Sequence, residues 1–178
     1  MKALAAALAA LVSAPAAAGD GVQGAGRAAG AVLERAGGAR VAGVGEAFTA
    51  VAGDVASVAW NHAGLGPRET AGAVTTYEAL PFGMRASAVA LALPGASGVA
   101  GAAVTLLDYG RFDARTAAGD PARSGNLSDV AAALAWAGRA PEWLGGAGWT
   151  GATLEGVSEA AGRSWLAASA GVLVPLST

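Results

Sequence analysis

The chain has no cysteine, and that absence removes disulfides, thiolate metal sites and a lipidated N-terminal cysteine together. Histidine occurs once, at His62, and neither a G-x-S-x-G nor an H-E-x-x-H run is present. A hydrolase triad or a zinc site therefore lacks its parts, and no catalytic, metal-ligating or cofactor-binding residue is expected. Charge is scarce as well: 13% of the 178 residues are Asp, Glu, Lys or Arg, the net formal charge is −2, and lysine is confined to Lys2. With no basic patch to neutralise phosphates, a nucleic-acid partner is excluded. Beyond the N-terminus no apolar run is long enough to cross a bilayer as a helix.

What is present in excess is small and apolar. Hydrophobic residues make up 54% of the chain and glycine accounts for 28 positions. A GC-rich coding sequence, which inflates Ala, Gly and Arg, accounts for part of that. The rest fits apolar residues spread over short alternating segments, as a membrane barrel requires.

Three regions follow in order. Residues 1–18 combine the charge of Lys2, the apolar run Ala3–Val12 and the small residues Ser13–Ala18. This is the three-part form of a secretory signal peptide, with cleavage expected after Ala18. Residues 19–70 form an approach segment and a compact, plug-like stretch. Within the approach, Ala28–Arg35 has the composition for a helical turn or two. Its Gly24–Gly30 run has no strand before it and a displaced third glycine, so it reads as a Gly/Ala approach and not as a nucleotide loop. Residues 71–178 hold the strands.

The plug-like stretch runs from Gly37 to Gly66, GGARVAGVGEAFTAVAGDVASVAWNHAGLG. Gly43 and Gly45 flank Val44, so the backbone there is expected to bend tightly or to approach another surface closely. Asp54 is placed to cap a short helix over Val55–Trp60. Asn61 and Gly64, both tolerant of left-handed backbone, are expected to end it. Arg40, Glu46 and Asp54 are charges that must pair or meet water in an apolar setting. They are expected to lock the plug to the wall around it. His62 reads as a polar cap on the Asn61 turn.

Val32–Leu65, about a fifth of the chain, resembles the N-terminal signature of the PorV/PorQ family. These are outer-membrane β-barrels related to the FadL long-chain fatty-acid transporters. The residues that carry the resemblance include Arg40, Gly43, Gly45, Phe48, Asp54, Trp60, Asn61, Gly64 and Leu65, with Glu46 inside the same run. The sequence departs from the family at Val32, Val44, Gly53, Ser57 and His62, the last standing where the family has a proline that would stiffen the turn. The resemblance implies a non-catalytic outer-membrane protein that docks or shuttles secreted cargo in a type IX-like secretion route. Its alternative is a FadL-like channel taking up hydrophobic small molecules. A third class, a secreted soluble β-protein that binds at the cell surface, remains open.

From Ala71 the rhythm is that of strands, at Gly72–Glu78, Met84–Leu93, Gly98–Asp108, Leu127–Gly138, Trp143–Leu154 and Trp165–Val174. Spans of about ten residues suit tilted strands in an outer membrane. Val130, Ala132, Leu134 and Trp136 share one face, as do Leu166, Ala168, Ala170, Val172 and Val174. Gly110–Asn126 and Glu155–Arg163 are read as polar connections on an aqueous side, with Asp108, Asp113 and Asp120 solvated and not calcium ligands. Trp136, Trp143, Trp149, Trp165, Tyr77 and Tyr109 are candidates for an interface belt or for core packing; Trp60, inside the signature, is expected to be internal. The expected fold is all-β: an antiparallel transmembrane β-barrel, incomplete in this chain, with a short N-terminal helical and Gly-rich plug. Six strands are fewer than the smallest single-chain membrane barrels use, so the chain is expected to be an N-terminal piece of a larger barrel. The expected partners are outer-membrane lipid, cargo or other secretion components, or a hydrophobic ligand.

Overall fold

The structure, a computed structural model, describes residues 30–175 apart from 36, 145 and 161. The expected signal peptide and most of the glycine run before Gly30 lie outside the described residues.

Six antiparallel strands follow one another as a meander: β1 (Gly72–Ala79), β2 (Arg85–Gly95), β3 (Gly98–Arg115), β4 (Pro121–Arg139), β5 (Trp149–Ser158) and β6 (Ser164–Leu173). A strand lies at each of the six places expected from the sequence, although the one expected at Trp143–Leu154 begins only at Trp149, after the Glu142–Leu144 turn. The strand order equals the chain order, and β1 and β6 are the two edges of an open sheet. Among the described residues helix is limited to α1 (Gly38–Gly43) and short 3-10 turns at Leu33–Arg35, Val55–Ala59, His62–Leu65, Pro81–Gly83 and Glu142–Leu144.

Burial alternates along the strands, as period-two side chains demand when one face is covered. The covered face carries small residues: Ala86, Ala88, Ala90 and Ala92 on β2, and Ala131, Ala133, Ala135 and Ala137 on β4. What covers them is the segment 30–70. Its helical turns touch all six strands, so the sheet wraps around it. Small side chains on the wall leave the width that the inserted backbone needs. Val58 and Leu65 are fully buried against Ala90, Ala92, Val99 and Ala135. Toward the other end, Val32 is fully buried among Ala86, Leu107, Ala131 and Val157.

The opposite face is the one with large apolar groups. Val89, Leu91, Leu93, Val104, Leu106, Val130, Leu134, Trp136, Leu154, Leu166 and Val172 are all exposed there. Ladder pairing puts them in rows, the central one running Ala73, Leu91, Ala102, Leu134, Leu154 and Ala168. From the row of Tyr77, Ser87, Leu106, Val130, Ser158 and Ser164 down to that of Leu93, Ala100, Trp136, Ala152 and Ala170, this face bears no charge among the described residues. Glu78, Asp129 and Glu155 all stand on the covered side. The shared faces expected for β4 and β6 are therefore present, and both are outward.

Two expected connections are corrected. Gly110–Asn126 is not a loop: β3 and β4 continue through it for six further register pairs, from Gly110↔Leu127 to Arg115↔Pro121. The neighbouring strands stop at the level of Arg85↔Asp108 and Val130↔Ser158, so this ribbon projects beyond the sheet. Six pairs at the rise of an antiparallel strand extend about 20 Å. Phe112 and Ala114 alternate with Arg111, Asp113 and Arg115, a half-polar pattern that the arginines and aspartates disguise as a loop. The turn itself is confined to Thr116–Asp120, where the Gly119 amide donates to Thr116 O at 2.9 Å. The Glu155–Arg163 connection likewise shrinks to the turn after Ser158.

Candidate functional site

The segment within the sheet is built from caps and close contacts. Val41, Phe48 and Ala56 form its own buried cluster, with Val51 and Trp60 packed against them. α1 ends in a sharp turn in which Gly45 and Glu46 both have φ near +63°. The backbone bends there as expected from the glycines, but the space beside Gly43 and Gly45 is open, so no close approach is involved. Glu46 is exposed, and its amide donates to Val41 O at 3.0 Å.

Asp54 caps as predicted, its Oδ1 accepting from the Ala56 amide at 2.8 Å at the start of the Val55–Ala59 turn. Its Oδ2 takes Arg40 Nε at 2.6 Å. Arg40 and Asp54 thus lock the segment to itself and not to the wall, and Glu46 joins neither. Asn61 begins the next turn from an extended backbone, φ −132°, its Oδ1 accepting from the Ala63 amide at 3.3 Å. Neither Asn61 nor Gly64 is left-handed. Gly64 is required for a different reason: a Cβ there would lie 2.6 Å from Val51 O and 2.7 Å from Ser57 Oγ. The loop Val51–Gly53 closes onto this glycine, with the Gly53 amide donating to Gly64 O at 2.7 Å. Trp60 packs beside Gly37 and is half-buried; its Nε1 is buried without a partner.

Attachment to the wall comes from Asn61 and His62, whose sequence positions suggest only a local turn. Asn61 Nδ2 donates to Thr49 O at 2.8 Å and to Val172 O of β6 at 3.3 Å. The His62 ring sits between Val58 O, 2.8 Å from Nδ1, and Ser169 Oγ on β6, 2.7 Å from Nε2. A carbonyl only accepts, so Nδ1 carries the proton and Nε2 of the neutral ring accepts from the serine hydroxyl. Burial holds the His62 pKa below its usual 6.5, opposed in part by the bond to Val58 O. The wall is cut to match. Cβ atoms at Gly151 of β5 would stand 2.5 Å from Ala63 N and at Gly101 of β3 2.8 Å from both Val58 and Leu65. Gly171 of β6, the ladder partner of Gly151, faces Asn61 Oδ1 with no room for a side chain.

At the end carrying the ribbon, a second network holds the entry of the segment. A register shift at Tyr109, with Gly110 at φ +78° and its amide bonded to Asp108 Oδ1 at 2.8 Å, turns Tyr109 toward the interior. Its hydroxyl donates to Asp129 Oδ2 at 2.6 Å, and Asp129 Oδ1 accepts from the Ala160 amide at 2.7 Å. Glu159, buried and paired with Arg163 at 3.2 Å, accepts from the Gly30 amide at 2.7 Å. Tyr109, Asp129 and Glu159 carry no recognisable spacing, since a ladder and a turn bring them together. Of the three aspartates weighed for calcium, Asp108 serves the bulge and Asp113 lies 3.7 Å from Arg111.

No family model, no curated protein and no solved structure matches this chain. The arrangement itself is mechanical: a capped, close-packed segment is seated in glycine notches of a sheet whose large apolar side chains point away from it.

Proposed function

We propose that the protein is an outer-membrane β-barrel component resembling the PorV/PorQ family, with segment 30–70 as its internal plug. Its role is a non-catalytic docking or shuttle function for cargo in type IX-like secretion. The observation that supports it is the inverted sheet: leucine, valine and tryptophan outward, carboxylates and small residues inward. A water-soluble sheet covered on one face does the reverse, because exposed charge is free and exposed Leu is not. A lipid-facing sheet needs an uncharged outward band flanked by aromatics. Tyr77 at one margin, and Trp136 and Trp143 at the other, stand where such flanking residues belong. Open edges are not tolerated in hydrocarbon, so in this reading β1 and β6 pair with further strands.

The seating of the plug supports docking over free conduction. Hydrogen bonds and glycine notches fix it to β3, β5 and β6, so an open path requires its displacement. A FadL-like channel for hydrophobic molecules is the second reading, and a secreted soluble binder the third. Deletion of the gene separates them. Secreted proteins accumulating in the periplasm support the first, and loss of growth on long-chain fatty acids alone supports the second. Release of the protein from envelopes by alkaline wash without detergent removes both.

A further inference from the structure

The end of the sheet opposite the ribbon holds a cavity of about 460 Å³ that the plug does not fill. It lies among the β2–β3 turn, the end of β4 and the chain leaving the plug, and its lining includes Arg68, Glu69, Trp136, Arg139 and Trp149. Trp136 stands near the end of the uncharged outward band, and its indole lies along Gly98 and Gly138 toward the rim. Arg139 stands over the Trp149 ring, 5.7 Å from its centre. Arg68 is fixed by donating to Gly53 O at 2.7 Å and to Thr70 O at 3.3 Å. Among the described residues neither guanidinium pairs with a carboxylate, and Glu69 pairs with no cation.

Two guanidiniums without a carboxylate partner, one carboxylate and an indole of the outward face thus line one cavity at the end of the sheet. We propose that this cavity binds the headgroup of a phospholipid bearing both phosphate and ammonium, of the phosphatidylethanolamine type. Arg139 takes the phosphate, a charge-assisted contact that guanidinium geometry favours, and Arg68, held by its two carbonyl partners, adds its positive charge to the same cavity. Glu69 takes the ammonium, and Trp136 guides the acyl chains from the rim onto the outward band. A purely anionic headgroup gains nothing from Glu69, and free phosphate gains nothing from Trp136. The site rests on the membrane reading for its place at a bilayer margin, but its chemistry can be tested apart from it.

The test is a titration of the detergent-purified, delipidated full-length protein with water-soluble short-chain phosphatidylethanolamine, with bound lipid counted by native mass spectrometry. Parallel arms use the phosphatidylglycerol analogue and inorganic phosphate. One tightly held phosphatidylethanolamine is expected, preferred over phosphatidylglycerol and not displaced by phosphate at matching concentration. Arg139→Gln should weaken it at least about tenfold, the scale of one hydrogen bond to a charged group. Glu69→Gln should erase the preference between the two lipids, while an unchanged urea midpoint of Arg139→Gln shows that the rim still folds. Unchanged binding by Arg139→Gln overturns the proposal, as does phosphate competing as well as lipid, which marks a plain anion site. Alkaline extraction of native envelopes is scored separately. A protein that stays in the membrane yet binds no headgroup loses this inference alone, whereas one washed out by alkali loses the membrane reading whatever the titration shows.

Discussion

At the residue scale, the glycines divide by what stands opposite them, and substitution should expose the division. Gly151 faces plug backbone at 2.5 Å, whereas Gly156, on the outward side of the same strand, faces only the end of Leu166 at 3.3 Å. Backbone cannot yield as a leucine tip can. Gly151→Ala is expected to cost about 1–3 kcal/mol as overpacking, and Gly156→Ala close to nothing. Urea midpoints of the two variants in the same detergent check the contrast, and equal midpoints would show that the plug is not seated in this notch. His62 adds a pH signature. Its ring is buried neutral with a lowered pKa, so the unfolded chain takes up the proton first as pH falls. The stabilisation is complete above about pH 6.5 and drains away below it until the lowered pKa is reached. His62→Gln keeps a donor for Val58 O but cannot titrate. Stability measured from about pH 8 to pH 5 should lose that portion of its acid slope in the variant, and an unchanged slope would place the titration elsewhere.

At the scale of elements, the plug turns depend on caps more than on the ion pair. Asp54→Ala removes an N-cap and should cost about 1 kcal/mol. Arg40→Ala removes an ion pair whose arginine is 69% exposed, and exposed pairs contribute little. Asp54→Ala loses the pair together with the cap, so it should unfold at clearly lower urea than Arg40→Ala, and equal midpoints would make the pair the stronger link. This ranking also shows what sequence could convey. Caps, strand positions and the outward alternation of β4 and β6 are local signals, carried by Asp54, Asn61 and the Val130–Trp136 run, and they were legible. The ribbon was not, because Arg111, Asp113 and Arg115 alternate with Phe112 and Ala114 on strands that neither protein nor lipid covers on both sides. The wall contacts of Asn61 and His62 span more than a hundred residues of chain. No spacing rule reports them. The ribbon yields its own expectation: unpaired outer edges should let amides of 110–126 exchange far faster than those of Val99–Leu107, which are paired on both sides. Hydrogen exchange read by fragment masses checks it, and equal protection would mean that something covers the ribbon.

For the whole molecule, the decisive quantity is the solvent of the outward face, and a single charge placed there can read it. Leu134 lies in the central row, 66% exposed, with Leu154 beside it across the ladder. In water an arginine at so open a position is nearly neutral, since surface substitutions away from special features shift stability by only about 0.5 kcal/mol. In hydrocarbon the same arginine sits near the midplane of the band and costs about 2–4 kcal/mol. The penalty in lipid should also depend on depth. Ser158 lies in the row at one margin of the band, so Ser158→Arg should cost at most about 1 kcal/mol, as near a membrane interface. Folding each variant into phospholipid vesicles and measuring the urea midpoint gives the two numbers. A large cost at Leu134 falling to little at Ser158 is the profile of a bilayer across this sheet. A flat, near-zero profile would mean that water covers the leucines, and the inverted sheet would then need a protein partner over its entire outward face.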